Sequence, residues 1–451
     1  MLYNTVKEVS DTKKSFKLSP ARVIILGFLA IIFIGTFLLM LPISKSGGGS
    51  ATFLEALFTS TSATCVTGLV VQDTATYWSA FGHGVIITLI QIGGMGVITV
   101  AAALTMLTGK KIGLAQRNLI KESISAPQVG GIVKLIRFAI KGMLFIEFIG
   151  ALLLMPTFIG KFGLIGIWYA FFHSISAFCN AGFDLMGVTG QFSSLTSFSA
   201  NWAVNIIVFL LVVIGGIGFL TWEDIITHKW RVNKYRMQSK VILVTTFILL
   251  VMPAIYFFIF EYAAYSMGER TLLAVFQSMT MRTAGFNTAD LTLTSEAGKG
   301  IMIFLMLIGG SPGSTAGGMK TTTLAVLVSL AISVFFNKKD AQLFKRRIPE
   351  SALRNAATIL TLYICLFFFS AVIISNIEGL PLLTCLFETA SAIGTVGVTL
   401  GITPTLSVAS KLIIIVLMFF GRVGGLTLIF AAVKGNNGVD LKLPEEKITV
   451  G

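Results

Sequence analysis

Charged residues are scarce in this sequence of 451 residues: Asp, Glu, Lys and Arg make up 12%, against 55% hydrophobic residues. This balance leaves far more apolar surface than the core of one soluble domain would bury, so we predict an integral membrane protein. The net charge of +14 falls in short blocks between long apolar runs. We interpret those blocks as topology signals, with a polybasic surface for lipid or nucleic acid as the alternative.

Histidine and cysteine are too few and too scattered for metal or nucleophile chemistry. The three histidines, His83, His173 and His228, fall in no ligand or nucleophile pattern. The four cysteines lie in or beside apolar stretches, where we interpret them as apolar fillers: Cys65, Cys179, Cys365 and Cys385. No Gly-x-Gly-x-x-Gly stands between a strand and a helix, so a dinucleotide-binding domain is not expected in this chain. The sequence predicts a protein that is not an enzyme and holds no cofactor of its own.

The sequence contains apolar runs long enough to cross a membrane. About 20 apolar residues cross a hydrocarbon core about 30 Å thick, and eight segments are long enough. They are residues 23–42, 81–107, 132–155, 202–220, 241–260, 301–336, 356–374 and 412–433. A shorter apolar stretch lies between the members of each consecutive pair, at 53–63, 164–178, 272–281 and 382–393. These stretches are too short to span comfortably, so we predict four re-entrant pore loops.

Basic clusters fall in the connections that eight spans place on one side of the membrane. The clusters are Lys110, Lys111, Arg117 and Lys121, then Lys229, Arg231, Lys234, Arg236 and Lys240, then Lys338, Lys339, Lys345, Arg346, Arg347 and Arg354. Because cytoplasmic loops carry an excess of Lys and Arg, both termini are predicted to be cytoplasmic.

The predicted fold is an all-α membrane protein of four tandem helix, pore loop, helix repeats, with eight transmembrane helices around a central pseudo-fourfold pore. Non-helical backbone at membrane depth is tolerated only inside protein or beside a water-filled cavity, which favours one shared cavity for the four loops. The predicted units are a cytoplasmic N-terminus 1–21, repeats at 22–108, 131–228, 240–337 (with a broken last helix) and 354–434, and a cytoplasmic tail 435–451.

The short stretches share a skeleton of Phe, a Ser/Thr-rich turn, and then Gly followed by an apolar residue. The glycines Gly68, Gly182, Gly285 and Gly397 recur at about a quarter of the chain length, which indicates an internal fourfold repeat. A carbonyl-lined cation filter needs glycine, because its backbone must enter the φ > 0 region. The predicted potassium-binding residues are Val66, Thr67, Gly68, Asn180, Ala181, Gly182, Thr283, Ala284, Gly285, Thr395, Val396 and Gly397. For any single glycine, a tight turn or close helix packing is the alternative.

Four motifs carry a resemblance to a known family. They are Thr-Gly-Leu-Val-Val-Gln-Asp-Thr at 67–74, Ser-Ala-Phe-Cys-Asn-Ala-Gly-Phe at 176–183, Arg-Thr-Ala-Gly-Phe-Asn at 282–287 and Gly-Thr-Val-Gly-Val-Thr at 394–399. The whole chain resembles the Ktr/Trk/HKT superfamily of potassium transporters, and within it the membrane subunits of bacterial Ktr systems.

This resemblance implies potassium-selective cation uptake across a bacterial plasma membrane. It also implies a homodimer in membrane lipid, with one pore per protomer, on a cytosolic ring of nucleotide-binding regulatory subunits; no nucleic-acid partner is expected. Family members with Ser at the first-repeat glycine tend to conduct sodium, so Gly68 implies potassium selectivity. Sodium as an activator or coupled ion is compatible with the family, although no residue set in this chain identifies a site for it.

The segment 301–336 is too long for one spanning helix at about 1.5 Å per residue, so we predict a break. Its middle is rich in glycine and has no bulky side chain: Gly309, Gly310, Ser311, Pro312, Gly313, Ser314, Thr315, Ala316, Gly317 and Gly318. In the family this segment looks like an intramembrane loop that gates the pore below the filter, and Lys320 follows it. The alternative is a loosely packed kink without a regulatory role.

Five charges fall inside predicted membrane segments: Glu147, Arg282, Lys320, Glu388 and Arg422. Each costs roughly 2.5 to 3.5 kcal/mol at a lone helix centre, so each is expected to have a partner or a wet cavity. We hypothesise that Arg422 forms an electrostatic barrier below the filter and restrains the loop. Arg282 is expected behind the third filter segment, with Glu388 as a candidate partner.

Two further features leave alternatives open. Glycine runs at 93–96, 215–218 and 424–425 are best explained by close helix packing. The carboxylates of Asp73, Asp184 and Asp290 follow three of the filters, where they could concentrate cations or serve as ordinary solvated loop charges. A membrane scaffold or receptor is the competing function, but it predicts no cation flux and gives no reason for four matched glycines.

Overall fold

The computed structural model describes residues 19–108, 112–123 and 130–432. Lys110, Lys111, the predicted tail 435–451 and nearly all of the predicted segment 1–21 lie outside these ranges. The helices are α1 Pro20–Met40, α2 Phe53–Cys65, α3 Thr74–Tyr77, α4 Ala80–Met95, α5 Val97–Leu107, α6 Leu114–Ser123, α7 Ile132–Phe162, α8 Gly166–Phe178, α9 Trp202–Gly216, α10 Phe219–His228, α11 Met237–Tyr256, α12 Met267–Thr280, α13 Glu296–Leu307, α14 Thr321–Phe335, α15 Glu350–Glu378, α16 Leu382–Gly394, α17 Val408–Val423 and α18 Gly425–Ala432. Strands β1 Gln342–Leu343 and β2 Arg346–Arg347 form an antiparallel hairpin between α14 and α15.

Each quarter of the chain has a long incoming helix, a short pore helix and a broken outgoing helix. The incoming helices are α1, α7, α11 and α15, and each packs on the pore helix that follows it, namely α2, α8, α12 and α16. By length and composition, four continuous helical stretches could cross a membrane unbroken: Pro20–Met40, Ile132–Phe178, Met237–Glu261 and Glu350–Glu378. Each of them contains one incoming helix, so the predicted succession of four repeats is the observed one.

The outgoing helices all break partway along their length. The spans that we predicted at 81–107, 202–220 and 412–433 each contain such a break, which the sequence did not reveal: the pair α4 and α5 is bent by 94°, and the pair α9 and α10 by 99°. Gly96, Gly218 and Gly424 stand at the breaks with φ of 82°, 90° and 88°, which L side chains rarely adopt. The third outgoing helix breaks where predicted, between Leu307 of α13 and Thr321 of α14.

The start of each outgoing helix is fixed by a capping side chain. The side-chain oxygens of Ser79, Asn201, Ser295 and Ser407 accept hydrogen bonds from backbone N–H groups in the first turn, at 3.2, 3.0, 2.9 and 3.4 Å. Such a cap typically stabilises a helix by about 1 kcal/mol, because it satisfies a donor that the helix leaves free. The caps therefore set where the chain turns back after each pore loop.

Candidate functional site

The four glycines predicted from the repeat meet at one place. Gly68, Gly182, Gly285 and Gly397 line a single cavity of about 110 Å³. Each packs so closely on a carbonyl of the next segment that a Cβ atom would crowd that oxygen; the pairs are Gly68 with Ala181 (2.5 Å), Gly182 with Ala284 (3.0 Å), Gly285 with Val396 (2.6 Å) and Gly397 with Thr67. The pore-loop segments 66–68, 180–182, 283–285 and 395–397 therefore form a closed ring in chain order.

Backbone conformation repeats around this ring. The first residue of each segment is left-handed, with φ of 57° at Val66, 59° at Asn180, 68° at Thr283 and 51° at Thr395. The glycine two positions later also has positive φ in all four segments. Positive φ at these positions gives the backbone the freedom that a filter needs to turn successive carbonyl groups toward one axis.

The Ser/Thr-rich turns of the pore helices hold these segments from behind. The Oγ atoms of Ser62 and Ser391 accept from the backbone N–H of Gly68 and Gly397, both at 3.1 Å. The hydroxyls of Ser176 and Thr280 donate to the carbonyls of Phe183 and Phe286, at 2.7 and 2.6 Å. The sequence showed that these turns are rich in hydroxyls but did not predict this role.

Some hydroxyl groups of the ring have no protein partner. In the part of the chain that the structure describes, the Oγ1 atoms of Thr67, Thr283 and Thr395 are buried without a hydrogen bond. A buried hydroxyl without a partner carries a free-energy penalty of about 1 to 3 kcal/mol. None of these three threonines lines the ring cavity, and Thr395 Oγ1 lies against Gly317 of the loop.

Two of the three predicted outer carboxylates reach the ring cavity. Asp73 and Asp184 line it, whereas Asp290 lines a neighbouring depression of about 490 Å³. Asp73 Oδ2 accepts from Phe192 N at 2.9 Å, and Asp184 Oδ1 from Met186 N at 2.9 Å. Burial raises the pKa of Asp184 to about 7; the carboxylate of Asp73 also raises it, while the bond from Met186 opposes the shift.

The predicted intramembrane loop lies beneath the ring. Thr315 Oγ1 lies 3.0 Å from both Phe178 O and Asn180 Oδ1, at the foot of the second segment. Backbone N–H groups of the loop donate to two outgoing helices, from Ser311 to Gly216 O at 3.0 Å and from Gly318 to Gly421 O at 3.2 Å. Gly317 packs against Thr395 of the fourth segment so closely that a Cβ atom would clash. The loop is thus fixed by repeats two and four, across the centre of the ring.

The two cations assigned to this region both contact carbonyl groups. Lys320 Nζ donates to Ala316 O at 2.9 Å, so this side chain folds back onto the loop. The Arg422 guanidinium donates to Thr315 O of the loop and to Gly93 O and Gly94 O of the first outgoing helix. Lys320 and Arg422 line a common cavity of about 230 Å³. Arg422 therefore bridges the loop and the first repeat.

Arg282 and Glu388 are not brought together, so the suggested pairing is wrong. Among the ion pairs of the described residues, none involves either side chain. Glu388 instead accepts hydrogen bonds from Thr399 Oγ1, at 2.8 Å, and from Thr403 Oγ1. These hydroxyls lie in the stretch of chain after the fourth segment, and they satisfy the carboxylate without a cation. Arg282 is buried, and its Nε has no partner in the described part of the chain.

Comparison with known proteins identifies relatives along nearly the whole chain. Residues 5–438 match the family TrkH, described as "Cation transport protein". The chain is 40% identical to "Potassium/sodium uptake protein NtpJ" of Enterococcus hirae, over 96% of this chain and 98% of that protein. It is 37% identical to "Ktr system potassium uptake protein B" of Bacillus subtilis, over 97% and 98%. The crystal structure of the potassium transporter TrkH from Vibrio parahaemolyticus matches with a TM-score of 0.73 at 19% identity, over 93% of this chain and 86% of that one, which supports the four-repeat fold.

Proposed function

Because this chain belongs to the TrkH family of cation transport proteins, we propose that it conducts potassium into a bacterial cell through one pore per chain. It is a multi-pass membrane transport protein and not an enzyme. The membrane potential is the proposed driving force, since moving one charge across 100 mV is worth about 2.3 kcal/mol. The proposed membrane is the plasma membrane, with both termini in the cytoplasm.

One observation carries the proposal of a selectivity filter: four glycines line one cavity, each against a carbonyl of the next segment. A ring of backbone oxygens without charged ligands suits a monovalent cation, and the size or field strength of the ring discriminates between potassium and sodium. The proposed filter residues are the twelve of segments 66–68, 180–182, 283–285 and 395–397, with potassium as the bound ion. The four repeats we propose as units span 22–108, 131–228, 240–337 and 354–434.

The loop from Gly309 to Gly318, with Lys320 and Arg422, is the proposed gate. It is supported by the position of Thr315, which contacts the foot of the second segment and accepts a bond from Arg422. A loop held by hydrogen bonds rather than by a packed apolar core can move at modest free-energy cost. We propose that conduction requires these bonds to break.

Partners are proposed from the names of the relatives and from exposed charge. The words "Ktr system" indicate a multi-component assembly, so we propose a separate cytosolic nucleotide-binding regulatory ring, a homodimer of this chain, and contacts with membrane lipid. Lys345 and Arg346, on the hairpin of β1 and β2, are exposed and could meet such a ring. The name of NtpJ includes sodium, which supports sodium as an activator or coupled ion.

The test is rubidium uptake by a potassium-uptake-deficient bacterium that expresses this chain with a cytosolic Ktr ring subunit. Gly68→Ser is compared with Gly84→Ser, because Gly84 lies in α4 with nothing within 4 Å of a built Cβ. We expect strong native uptake, sodium entry through Gly68→Ser, and native selectivity in Gly84→Ser. Absence of uptake by the native protein, despite its presence in the membrane, would refute the pore and favour a scaffold.

A further inference from the structure

A buried polar cluster lies behind the second pore-loop segment, away from the ring. Glu147 of α7 accepts hydrogen bonds from Gln91 Nε2 of α4, at 3.2 Å to Oε1 and 2.9 Å to Oε2. The thiol of Cys179, at the end of α8, lies 3.7 Å from both Glu147 Oε1 and Gln91 Oε1. The cluster therefore joins the first repeat to the incoming helix and the pore loop of the second.

The first and third repeats carry no carboxylate at the position of Glu147. The corresponding position on three incoming helices can be identified from a serine of the pore helix, whose hydroxyl donates to the backbone carbonyl at that position. The pairs are Ser60 with Ile32, Ser174 with Glu147 and Ser278 with Leu250. The first and third repeats thus place apolar side chains where the second places Glu147. Packing of the incoming helix on the pore helix does not require a carboxylate.

Glu147 also lacks an ionic partner. It is 4% exposed, and no cation pairs with it in the ranges that the structure describes. Its side-chain contacts are with an amide and a thiol, so directional hydrogen bonds, and not an ion pair, connect the cluster. Buried networks of this kind specify one arrangement of the elements they join, because loss of one bond leaves polar atoms unsatisfied.

Cys179 of the cluster directly precedes Asn180, the first residue of the second pore-loop segment. A Cβ built on Gly94 would lie 2.7 Å from Cys179 Sγ, so the thiol is pressed against the first outgoing helix. Asn180 follows Cys179, and its amide oxygen meets Thr315 of the loop at 3.0 Å. The position of Cys179 therefore influences where Asn180 and Ala181 stand.

We propose that Glu147 is a positioning residue for ion selectivity: through Gln91 and Cys179 it holds the second pore-loop segment at a fixed distance from the axis of the ring. This rests on the proposed function, because it assumes that the ring selects potassium. Carbonyl rings discriminate between cations by their dimensions or field strength, so a segment free to shift admits smaller ions. Glu147 touches no ion and acts only through the segment.

The test measures the ratio of rubidium to sodium flux in cells that express each variant with the ring subunit. Glu147→Leu copies the apolar residue of the third repeat and should lower the ratio roughly fivefold, the factor that a hydrogen bond of about 1 kcal/mol supplies. Glu147→Gln should keep the native ratio within about twofold, because its amide both accepts and donates. Ile32→Leu, at the matching position of the first repeat, is the control and should leave the ratio unchanged.

A swap of the two polar residues separates hydrogen bonding from general damage. Gln91→Glu alone places two carboxyl groups together and should lower the ratio, whereas Gln91→Glu with Glu147→Gln restores a carboxylate and an amide and should recover it. Gln91→Leu serves as a second disruption if Glu147→Leu does not reach the membrane.

The outcomes are distinguishable. A native ratio of rubidium to sodium flux in both leucine variants overturns the proposal. A ratio in Glu147→Gln as low as that in Glu147→Leu also overturns it, because charge and not hydrogen bonding would then be the cause. A native protein without rubidium uptake would instead count against the proposed function. Lower total flux at an unchanged ratio would mean that the cluster is only structural, and it would also overturn the assignment.

Discussion

The hydroxyl of Thr315 lies 3.0 Å from the amide oxygen of Asn180, and this hydrogen bond joins the intramembrane loop to the foot of the second pore-loop segment. The same hydroxyl is 3.0 Å from Phe178 O, and the backbone oxygen of Thr315 accepts from Arg422. A single loop residue therefore connects three of the repeats beneath the ring.

Thr315→Val removes the hydroxyl and keeps the shape of the side chain. Because the amide oxygen of Asn180 then loses its donor, the loop is held less firmly, and we expect potassium or rubidium flux to rise about two- to tenfold, as for the loss of a net 0.5 to 1.5 kcal/mol. Flux in cells that express the ring subunit is the measurement. Thr322→Val is the matched control, since Thr322 forms no side-chain hydrogen bond in the described part of the chain. Equal flux in both variants would contradict a restraining role for Thr315.

Arg422→Gln should also raise flux, and by more than Thr315→Val. The guanidinium reaches Thr315 O and Gly93 O together, and a glutamine amide cannot span both carbonyls or supply a positive charge. Arg422→Lys keeps the positive charge but loses the planar guanidinium that reaches both carbonyls, so an intermediate flux is expected. Arg354→Gln removes an exposed arginine, paired with Glu350, and serves as the control. If Arg422→Lys conducts as much as Arg422→Gln, charge alone does not close the pathway.

The repeat, the four pore helices and the broken third outgoing helix were predictable, because each leaves a composition or length signal in the sequence. Four glycines at matched positions also predicted the residues that converge on one cavity. Their order around the ring was not predictable, because it depends on contacts such as Gly397 with Thr67, between opposite ends of the chain. No local pattern encodes that contact.

The glycine runs of the outgoing helices show how one composition signal can carry two causes. Gly93 and Gly215 do pack closely, against Thr64 O and Phe178 O, as the packing interpretation predicts. Gly96 and Gly218, three residues further on, break the helix through positive φ. The sequence alone does not reveal the sign of φ, so we predicted close packing for all of these glycines and missed the helix breaks. The partners of Glu388 could not be predicted either. We expected a cation, whereas the partners are threonine hydroxyls, which carry no charge.

The helix breaks can be tested with alanine. Gly424 has φ of 88° and nothing within 4 Å of a built Cβ, so Gly424→Ala strains only the backbone and should lower the free energy of unfolding by about 1 to 3 kcal/mol. Gly218→Ala should lower it further, since its Cβ would lie 2.6 Å from Pro312 O of the loop. Gly84→Ala, in open space within α4, should be neutral or stabilising by about 0.5 to 1 kcal/mol. Thermal unfolding in detergent ranks the three; equal midpoints would mean that the breaks carry no strain.

External pH should alter uptake through Asp184, which lines the outer side of the ring cavity. Burial raises the pKa of Asp184 to about 7, and the nearby carboxylate of Asp73 adds to the shift. Acidification from pH 8 to pH 6 therefore protonates Asp184 in the folded protein and removes a negative charge that attracts cations. We expect the KM for rubidium to rise by roughly two- to tenfold over this range. Asp184→Asn should have a high KM at both pH values, whereas Asp290→Asn, which alters the neighbouring depression, should keep the pH dependence. A KM that depends on pH equally in Asp184→Asn and Asp290→Asn would assign the effect to another group.

The raised pKa of Asp184 also makes the stability of the protein depend on pH. Between about pH 4 and pH 7 the folded state retains a proton that the unfolded state has lost. The free energy of unfolding therefore falls as the pH rises through this window in the native protein, and it falls less in Asp184→Asn.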